Sequence, residues 1–224
     1  MCIIAVCERR HLTQDEVQGC WMENPDGAGI AWASGGEVHI VKGLMTRGEL
    51  EGVLRELQES RPFPYIVHFR LATSGPSCPE LTHPFPVLPD APLDLEWSGT
   101  VPVLAHNGHV ADWRSYYIQL FPLIVEALKK NGLPARVPVG PWSDTRAITA
   151  IVSVVGEEIV DFLEAGKVAM LWPDGRVRYW GAFRPVNGVL FSGSWRTARR
   201  DDWRYGDWGS PTRADRDWSE DDRW

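Results

Sequence analysis

The chain begins "MCIIAVCERR" (residues 1–10), and its apolar run "CIIAVC" (residues 2–7) predicts a short strand buried in the core. Cys2 follows the initiator methionine directly. As a small apolar residue, it would simply begin the strand. If Met1 is removed, the same residue carries a thiol nucleophile and a free α-amino group that can act as a base. Position alone leaves both interpretations open.

Helix and hairpin signals follow this strand. Capping boxes at Thr13/Glu16 and Thr46/Glu49 begin two predicted helices, "TQDEVQGCWMEN" (residues 13–24) and "TRGELEGVLRELQES" (residues 46–60). Between these helices, a Gly-Gly pair separates two strand-like runs and predicts a β-hairpin, "AGIAWAS" (residues 28–34) and "EVHIVKG" (residues 37–43).

The rest of the chain predicts more strands around a helical middle. Strands are expected in "FPYIVHFR" (63–70), "VPVLAHNG" (101–108), a hairpin at 167–181 and "GVLFSGS" (188–194), with a long loop over residues 71–101. Helices are expected over residues 112–132, kinked or interrupted at Pro122, and from residue 143, with Ser143 or Asp144 as N-cap. This order of elements predicts a layered α+β fold.

Length and composition indicate one globular domain and exclude several function classes. The 224 residues, 44% of them hydrophobic, suffice for one sizeable core. The net charge of −7 argues against a nonspecific nucleic-acid binder and against docking on anionic lipid. No apolar run approaches the ~20 residues of a membrane helix, and no signal peptide is recognisable, so we expect a cytoplasmic protein. The four cysteines match no metal-site spacing, and we expect neither metal nor cofactor.

Beside Cys2, three short motifs are candidates for chemistry, each with a structural alternative. Arg70 ends a predicted strand, where it suits a bidentate contact with a carboxylate, or it is a surface arginine. Asn107 and Gly108 form either a hairpin turn or an oxyanion hole made of a side-chain amide and a backbone N–H. Asp144 either caps a helix or binds a substrate ammonium.

In combination, these motifs resemble the class II glutamine amidotransferases, enzymes with the N-terminal-nucleophile hydrolase fold. The family pattern is an N-terminal Cys, an Asp-Gly turn, a His-x-Arg-x-Ala-Thr loop, a His-Pro, an Asn-Gly turn and a Ser-Asp-Thr. In the same order this chain has Cys2, "NPDGAGIAW", "HFRLATSG", "THPF", "AHNG" and "SDT". The match spans roughly residues 2–192, and its "NPDGAGIAW" segment is most similar to stand-alone members of the family without a fused synthase domain.

The resemblance implies a four-layer αββα fold, with two packed antiparallel sheets between helix layers. It also implies that Cys2 is the nucleophile with its own α-amino group as general base, and that Asn107 and Gly108 form the oxyanion hole. Arg70, with Thr73 beside it, would bind the α-carboxylate of glutamine, and Asp144 would bind its α-ammonium.

Other residues of these motifs are interpreted as structural. Asp26 and Gly27 are expected to shape a turn near the nucleophile. The three motif histidines, His68, His83 and His106, are expected to be hydrogen-bonded structural residues, because the α-amine makes a Cys–His pair unnecessary.

The resemblance implies a glutaminase domain over residues 1–194 that releases ammonia to a partner enzyme. Two alternatives stay open: an amidohydrolase acting on another γ-glutamyl or small amide, and a non-catalytic interaction module. The last of these would use residues 195–224, a tail dense in Trp, Asp and Arg that cannot build a core of its own. We expect this tail to be disordered or to dock through its tryptophans.

Overall fold

Two antiparallel sheets and five α-helices make up the part of the chain that the computed structural model describes, residues 1–73 and 75–195. This confirms the α+β class. The larger sheet has the strand order β10-β11-β1-β4-β2-β3-β6. Its strands are β1 (Ile3–Cys7), β2 (Ala28–Ser34), β3 (Glu37–Leu44), β4 (Tyr65–Phe69), β6 (Glu96–Gly99), β10 (Arg184–Val186) and β11 (Val189–Phe191).

The smaller sheet has four strands in the order β5-β7-β8-β9. Its strands are β5 (Phe85–Pro86), β7 (Val103–Asn107), β8 (Lys167–Leu171) and β9 (Val177–Trp180). The helices are α1 (Gln14–Glu23), α2 (Arg47–Ser60), α3 (Trp113–Lys130), α4 (Asp144–Val155) and α5 (Ile159–Phe162), and one 3-10 turn spans Pro79–Leu81.

The opening apolar run is β1, and both of its faces are buried. Ile3 and Ala5 belong to an apolar cluster with α1 and α2, whereas Ile4 and Val6 face residues of the smaller sheet. Because successive side chains of a strand point to opposite faces, a strand covered on both sides needs an unbroken apolar sequence. The predicted buried strand is therefore confirmed.

Three apolar clusters hold these elements together. One joins α1 and α2 to the larger sheet, a second lies between the two sheets, and a third joins the smaller sheet to α3, α4 and α5. The two predicted capping boxes are both formed, so the starts of α1 and α2 are satisfied locally.

Several predicted elements need correction. The segment 71–101 is not one long loop, since it contains the 3-10 turn, β5 and β6. Helix α3 continues through Pro122, because this proline is on an exposed face while Tyr117 and Ile124 pack in the core. Such packing outweighs the lost backbone hydrogen bond. Two short elements, α5 and β10, were not predicted, and β10 contains a proline at the sheet edge.

The predicted tail lies outside the described residues except for Trp195. The indole of Trp195 packs against Phe191, with ring centroids 6.0 Å apart. Among the helices that the structure describes, none combines the length and the apolar character needed to cross a membrane.

At Gly29 in β2, the segments that contain His83 and Lys42 approach the backbone closely. A Cβ at Gly29 would lie 2.2 Å from the carbonyl oxygen of His83 and 2.7 Å from Cβ of Lys42. We expect Gly29→Ala to lower the free energy of unfolding by about 1–3 kcal/mol through overpacking. The measurement is urea denaturation.

Gly52 provides the matched control. It lies inside α2, and a Cβ there would have no atom within 4 Å. Gly52→Ala should therefore raise stability by about 0.5–1 kcal/mol. Equal effects of the two substitutions would contradict the close contact at Gly29.

Candidate active site

The register of β1 against β4 brings Cys2 to the end of β4. Ile3 lies opposite Phe69, so the residues just outside the paired strands are neighbours. The thiol of Cys2 donates to the carbonyl oxygen of Leu71 at 3.4 Å, and the N–H of Leu71 donates to its sulfur at 3.3 Å. These two hydrogen bonds hold the thiol at the start of the loop that follows Arg70.

A cavity of about 270 Å³ lies at this point and collects five of the six predicted site residues. Its walls include Cys2, Arg70, Thr73, Gly108 and Asp144. These residues come from four separate parts of the chain.

Arg70 supplies a buried cation to the cavity wall. Its side chain donates to the carbonyl oxygens of Pro76 at 2.9 Å and Cys78 at 3.4 Å, and the residue is only 3% exposed. Among residues 1–73 and 75–195, no carboxylate forms an ion pair with it. Burial lowers the pKa of Arg70. A buried guanidinium whose hydrogen-bond acceptors in the described chain are neutral carbonyl oxygens favours a carboxylate ligand.

Asp144 supplies the opposite charge. Its carboxylate accepts backbone hydrogen bonds from Thr145 at 2.9 Å and Val110 at 3.1 Å. The N-cap of α4 is Ser143, whose hydroxyl oxygen accepts from the N–H of Arg146, so Asp144 is not the cap. A carboxylate has lone pairs for several donors, and the backbone bonds hold this one at the cavity wall.

Asn107 and Gly108 differ in their relation to the cavity. Gly108 lines it, and a Cβ there would lie 2.1 Å from the carbonyl oxygen of Ala165, so only glycine fits. The Asn107 amide is buried beside the wall and donates to Ser192 Oγ at 2.8 Å. Ser192 Oγ also accepts from the N–H of Ile4 at 2.8 Å, so this hydroxyl connects β7 of one sheet to β1 of the other.

The Cys2 thiol needs a base. Burial raises its pKa, while the Leu71 N–H, Arg70 and the chain's amino terminus act in the opposite direction. The thiol is therefore protonated at neutral pH in this environment. In the chain as it stands, the nitrogen of Cys2 is a peptide amide, and only removal of Met1 would convert it into an amine.

The three motif histidines are buried and hydrogen-bonded, as expected, and two of them line the cavity. His68 Nε2 and His83 Nδ1 each lie 3.1 Å from the carbonyl oxygen of His106. His106 Nδ1 lies 3.0 Å from the hydroxyl of Thr145 and 4.0 Å from the carboxylate of Asp144. Burial lowers the pKa of all three rings, so they are neutral at pH 7.

The Asp26-Gly27 turn is hydrogen-bonded to the loop that contains Arg70. The carboxylate of Asp26 accepts from the N–H of Ala72 at 2.8 Å, and the N–H of Arg70 donates to the carbonyl oxygen of Gly27 at 2.8 Å. The turn thus stabilises the backbone on both sides of the arginine.

The groups that hold the site residues in place were not predicted from the sequence. Ser192 positions Asn107, and the main chain of Leu71 holds the thiol. Neither carries a local signal, because each acts through a contact between segments that are distant in sequence. The only sequence signal for Ser192 is its position near the end of a predicted strand.

No cluster of three or more His, Cys, Asp or Glu side chains suited to a metal ion occurs in the described part of the chain. No protein-family profile matches the chain, and comparison with curated proteins returns no similar sequence. The interpretation of the cavity therefore depends on its own geometry and on the motifs.

The burial of His68 predicts a pH dependence of stability. Burial lowers the pKa of His68 to about 3, whereas an unfolded histidine titrates near ~6.5. Between these values the unfolded state binds the proton and the folded state does not, so stability falls as pH falls below about 6.5. The slope contributed by one such group reaches about 1.4 kcal/mol per pH unit.

We expect His68→Gln to reduce this slope in urea denaturation series between about pH 4.5 and 7. The control is His39→Gln, since His39 is half-exposed and stacks on Trp32 with ring centroids 5.3 Å apart. The control should keep the wild-type slope. An unchanged slope in the His68 variant would show that this histidine is not what makes the fold acid-sensitive.

Proposed function

We propose that this protein is a glutaminase domain of the class II glutamine amidotransferase type, which hydrolyses the side-chain amide of glutamine and releases ammonia. The observation that carries the proposal is the cavity that joins a cysteine thiol to a buried arginine and a buried aspartate. A cation and an anion that line one cavity complement the carboxylate and ammonium of a free α-amino acid.

The chemistry begins once Met1 has been removed. The α-amine of Cys2, with an ordinary pKa near ~7.7–8.0, accepts the thiol proton, and the sulfur attacks the amide carbon of glutamine. The C–S bond forms as the carbonyl becomes an oxyanion. The C–N bond then breaks, the amine returns the proton to the leaving nitrogen, and ammonia departs from a γ-glutamyl thioester.

Hydrolysis of the thioester completes the cycle. The same amine takes a proton from water, the hydroxide adds to the thioester carbon, and the C–S bond breaks to give glutamate and free thiol. No redox or metal step is required. Arg70 and Asp144 hold the unreactive end of the substrate throughout, so the amide stays aimed at the sulfur.

The oxyanion is assigned to Gly108 and Asn107. Gly108 lines the cavity and has a backbone N–H, and the Asn107 amide has two N–H groups. The amide nitrogen donates to Ser192 Oγ at 2.8 Å and to the Ser192 carbonyl oxygen at 3.4 Å. The oxyanion would replace the carbonyl oxygen as acceptor, because that hydrogen bond is the longer and weaker of the two. Each such donor is worth about 2.7–4 kcal/mol of the barrier.

The arrangement of the apolar clusters supports the finer fold assignment. Helices α1 and α2 pack on the larger sheet, the sheets pack on each other, and α3, α4 and α5 pack on the smaller sheet. We assign this order to the four-layer αββα fold of N-terminal-nucleophile hydrolases. The ammonia is proposed to pass to a partner enzyme that docks over the cavity.

The direct test measures glutamate release from glutamine by the purified protein whose N-terminus has been verified by mass spectrometry. Cys2→Ser should fold and lose nearly all turnover, because a neutral hydroxyl is a far weaker nucleophile. Cys20→Ala, which removes a buried thiol on α1 outside the cavity, should remain active. A chain engineered to retain Met1 should be inactive.

Full turnover with Met1 retained would contradict the role of the α-amine. Turnover in Cys2→Ser would contradict the nucleophile assignment. Hydrolysis of asparagine or of simple amides at the rate of glutamine would contradict the fit to the α-amino acid group and favour a less selective amidohydrolase.

Kinetics of two further variants separate binding from transition-state stabilisation. Arg70→Ala should mainly raise KM, because its partner carboxylate does not react. Asn107→Ala should mainly lower kcat, by about 10²–10³-fold, because the oxyanion exists only along the reaction path. Steady-state glutamine hydrolysis measures both, and exchanged phenotypes would mean that the two roles are misassigned.

A further inference from the structure

Lys42 is a buried cation that the proposed chemistry does not use. It lies in β3 and is 3% exposed. Its ammonium donates to the carbonyl oxygen of Glu80 at 3.0 Å and lies 3.7 Å from the centre of the Phe85 ring. Among the residues that the structure describes, no carboxylate lies within ion-pair distance of it.

A lysine in this environment is costly. Burial, with a further contribution from the guanidinium of Arg146, lowers the pKa of Lys42 to about 7. An apolar side chain of similar length would fill the same space without this desolvation cost. Unlike such a side chain, lysine has a terminal hydrogen-bond donor, and this donor reaches the main chain of residue 80.

The segment that receives this hydrogen bond connects two residues of the candidate active site, Arg70 and His83. We call residues 76–83 the strap. At one end, the carbonyl oxygens of Pro76 and Cys78 accept from the guanidinium of Arg70. At the other end, the side chain of His83 lines the cavity.

The middle of the strap is anchored to β3 at two neighbouring points. Lys42 binds the carbonyl oxygen of Glu80, and the N–H of Gly43 donates to the hydroxyl oxygen of Thr82 at 2.6 Å. Strand β3 itself is paired on both sides, with β2 and with β6. The strap is thus fastened to the sheet between the carbonyls that bind Arg70 and the cavity-lining His83.

We infer that Lys42 is a positioning residue for substrate binding, holding the strap so that its carbonyls orient the Arg70 guanidinium toward the substrate carboxylate. The inference rests on the proposed function for the identity of that substrate. The mechanical part, that Lys42 holds the strap, is independent of what the cavity binds.

The test compares Lys42→Met with the wild type and with Arg10→Met. Methionine keeps an unbranched apolar side chain and removes the hydrogen-bond donor. If Lys42→Met does not fold, the variant Lys42→Leu is used in its place. Arg10 is likewise a long cation that donates to main-chain carbonyls, those of Val186 and Asn187, and it also pairs with the carboxylate of Glu16. None of these partners lines the cavity.

Two measurements are made on each folded protein. In glutamine hydrolysis, we expect the Lys42 variant to raise KM about tenfold with kcat within about twofold, as for loss of a residue that orients a binding group. In hydrogen–deuterium exchange, we expect faster exchange of the strap amides of Cys78, Leu81 and Thr82, which are hydrogen-bonded within the strap. Arg10→Met should change neither quantity.

The outcomes separate the two proposals. If the wild type hydrolyses glutamine and the Lys42 variant keeps its KM, the positioning role is wrong while the proposed function stands. If the wild type releases no glutamate, the proposed function fails and the exchange data alone decide whether Lys42 holds the strap. Unchanged exchange in the strap would overturn the inference in either case.

Discussion

The antiparallel register between β1 and β4 is the constraint on which the candidate active site depends. Ile3 opposite Phe69 brings Cys2 beside Arg70, and the sulfur then meets both backbone groups of Leu71. A slip of one residue would turn every side chain of β1 to the wrong face. Since β1 is buried on both faces, helices on one side and the smaller sheet on the other resist such a slip.

The second sheet contributes the remaining side of the cavity, and Ser192 joins the two. Its hydroxyl oxygen accepts from Ile4 in β1 and from Asn107 in β7, each at 2.8 Å. Gly108 and Asp144 then face the thiol from the second sheet and from α4. Burial of the Arg70 guanidinium and the Asp144 carboxylate at one cavity has a desolvation cost, and we propose that these two groups serve substrate recognition.

The sequence motifs selected residues that the structure brings to one cavity, because these residues are chemically distinctive and stand at the ends of strands or at the start of a helix. Cys2, Arg70 and Asp144 required no knowledge of their neighbours to be noticed. The supporting contacts could not be predicted in this way. Lys42 lies on the same buried face of β3 as Val38 and Ile40, but only the fold reveals that the main chain of residue 80 accepts its hydrogen bond.

The secondary structure likewise contains elements that local sequence predicts and elements that depend on contacts with distant residues. Helices with capping boxes and the long apolar strands were predictable from local sequence, since their signals are local. The short strands β5, β6 and β10 were not, because they exist through pairing with a neighbour; β6, for example, is defined by its register against Val38–Val41 of β3. Continuation of α3 through Pro122 likewise depends on tertiary packing that the helix signal does not contain.

Direct detection of the covalent intermediate tests the central claim. The protein with a verified Cys2 N-terminus is mixed with isotope-labelled glutamine, quenched in acid during turnover, digested and mapped by mass spectrometry. We predict a labelled γ-glutamyl group on the N-terminal peptide that hydroxylamine removes, as expected for a thioester. Glutamate formation with an unmodified N-terminal peptide, or a label on Cys7, Cys20 or Cys78 instead, would contradict the assignment of Cys2 as the nucleophile.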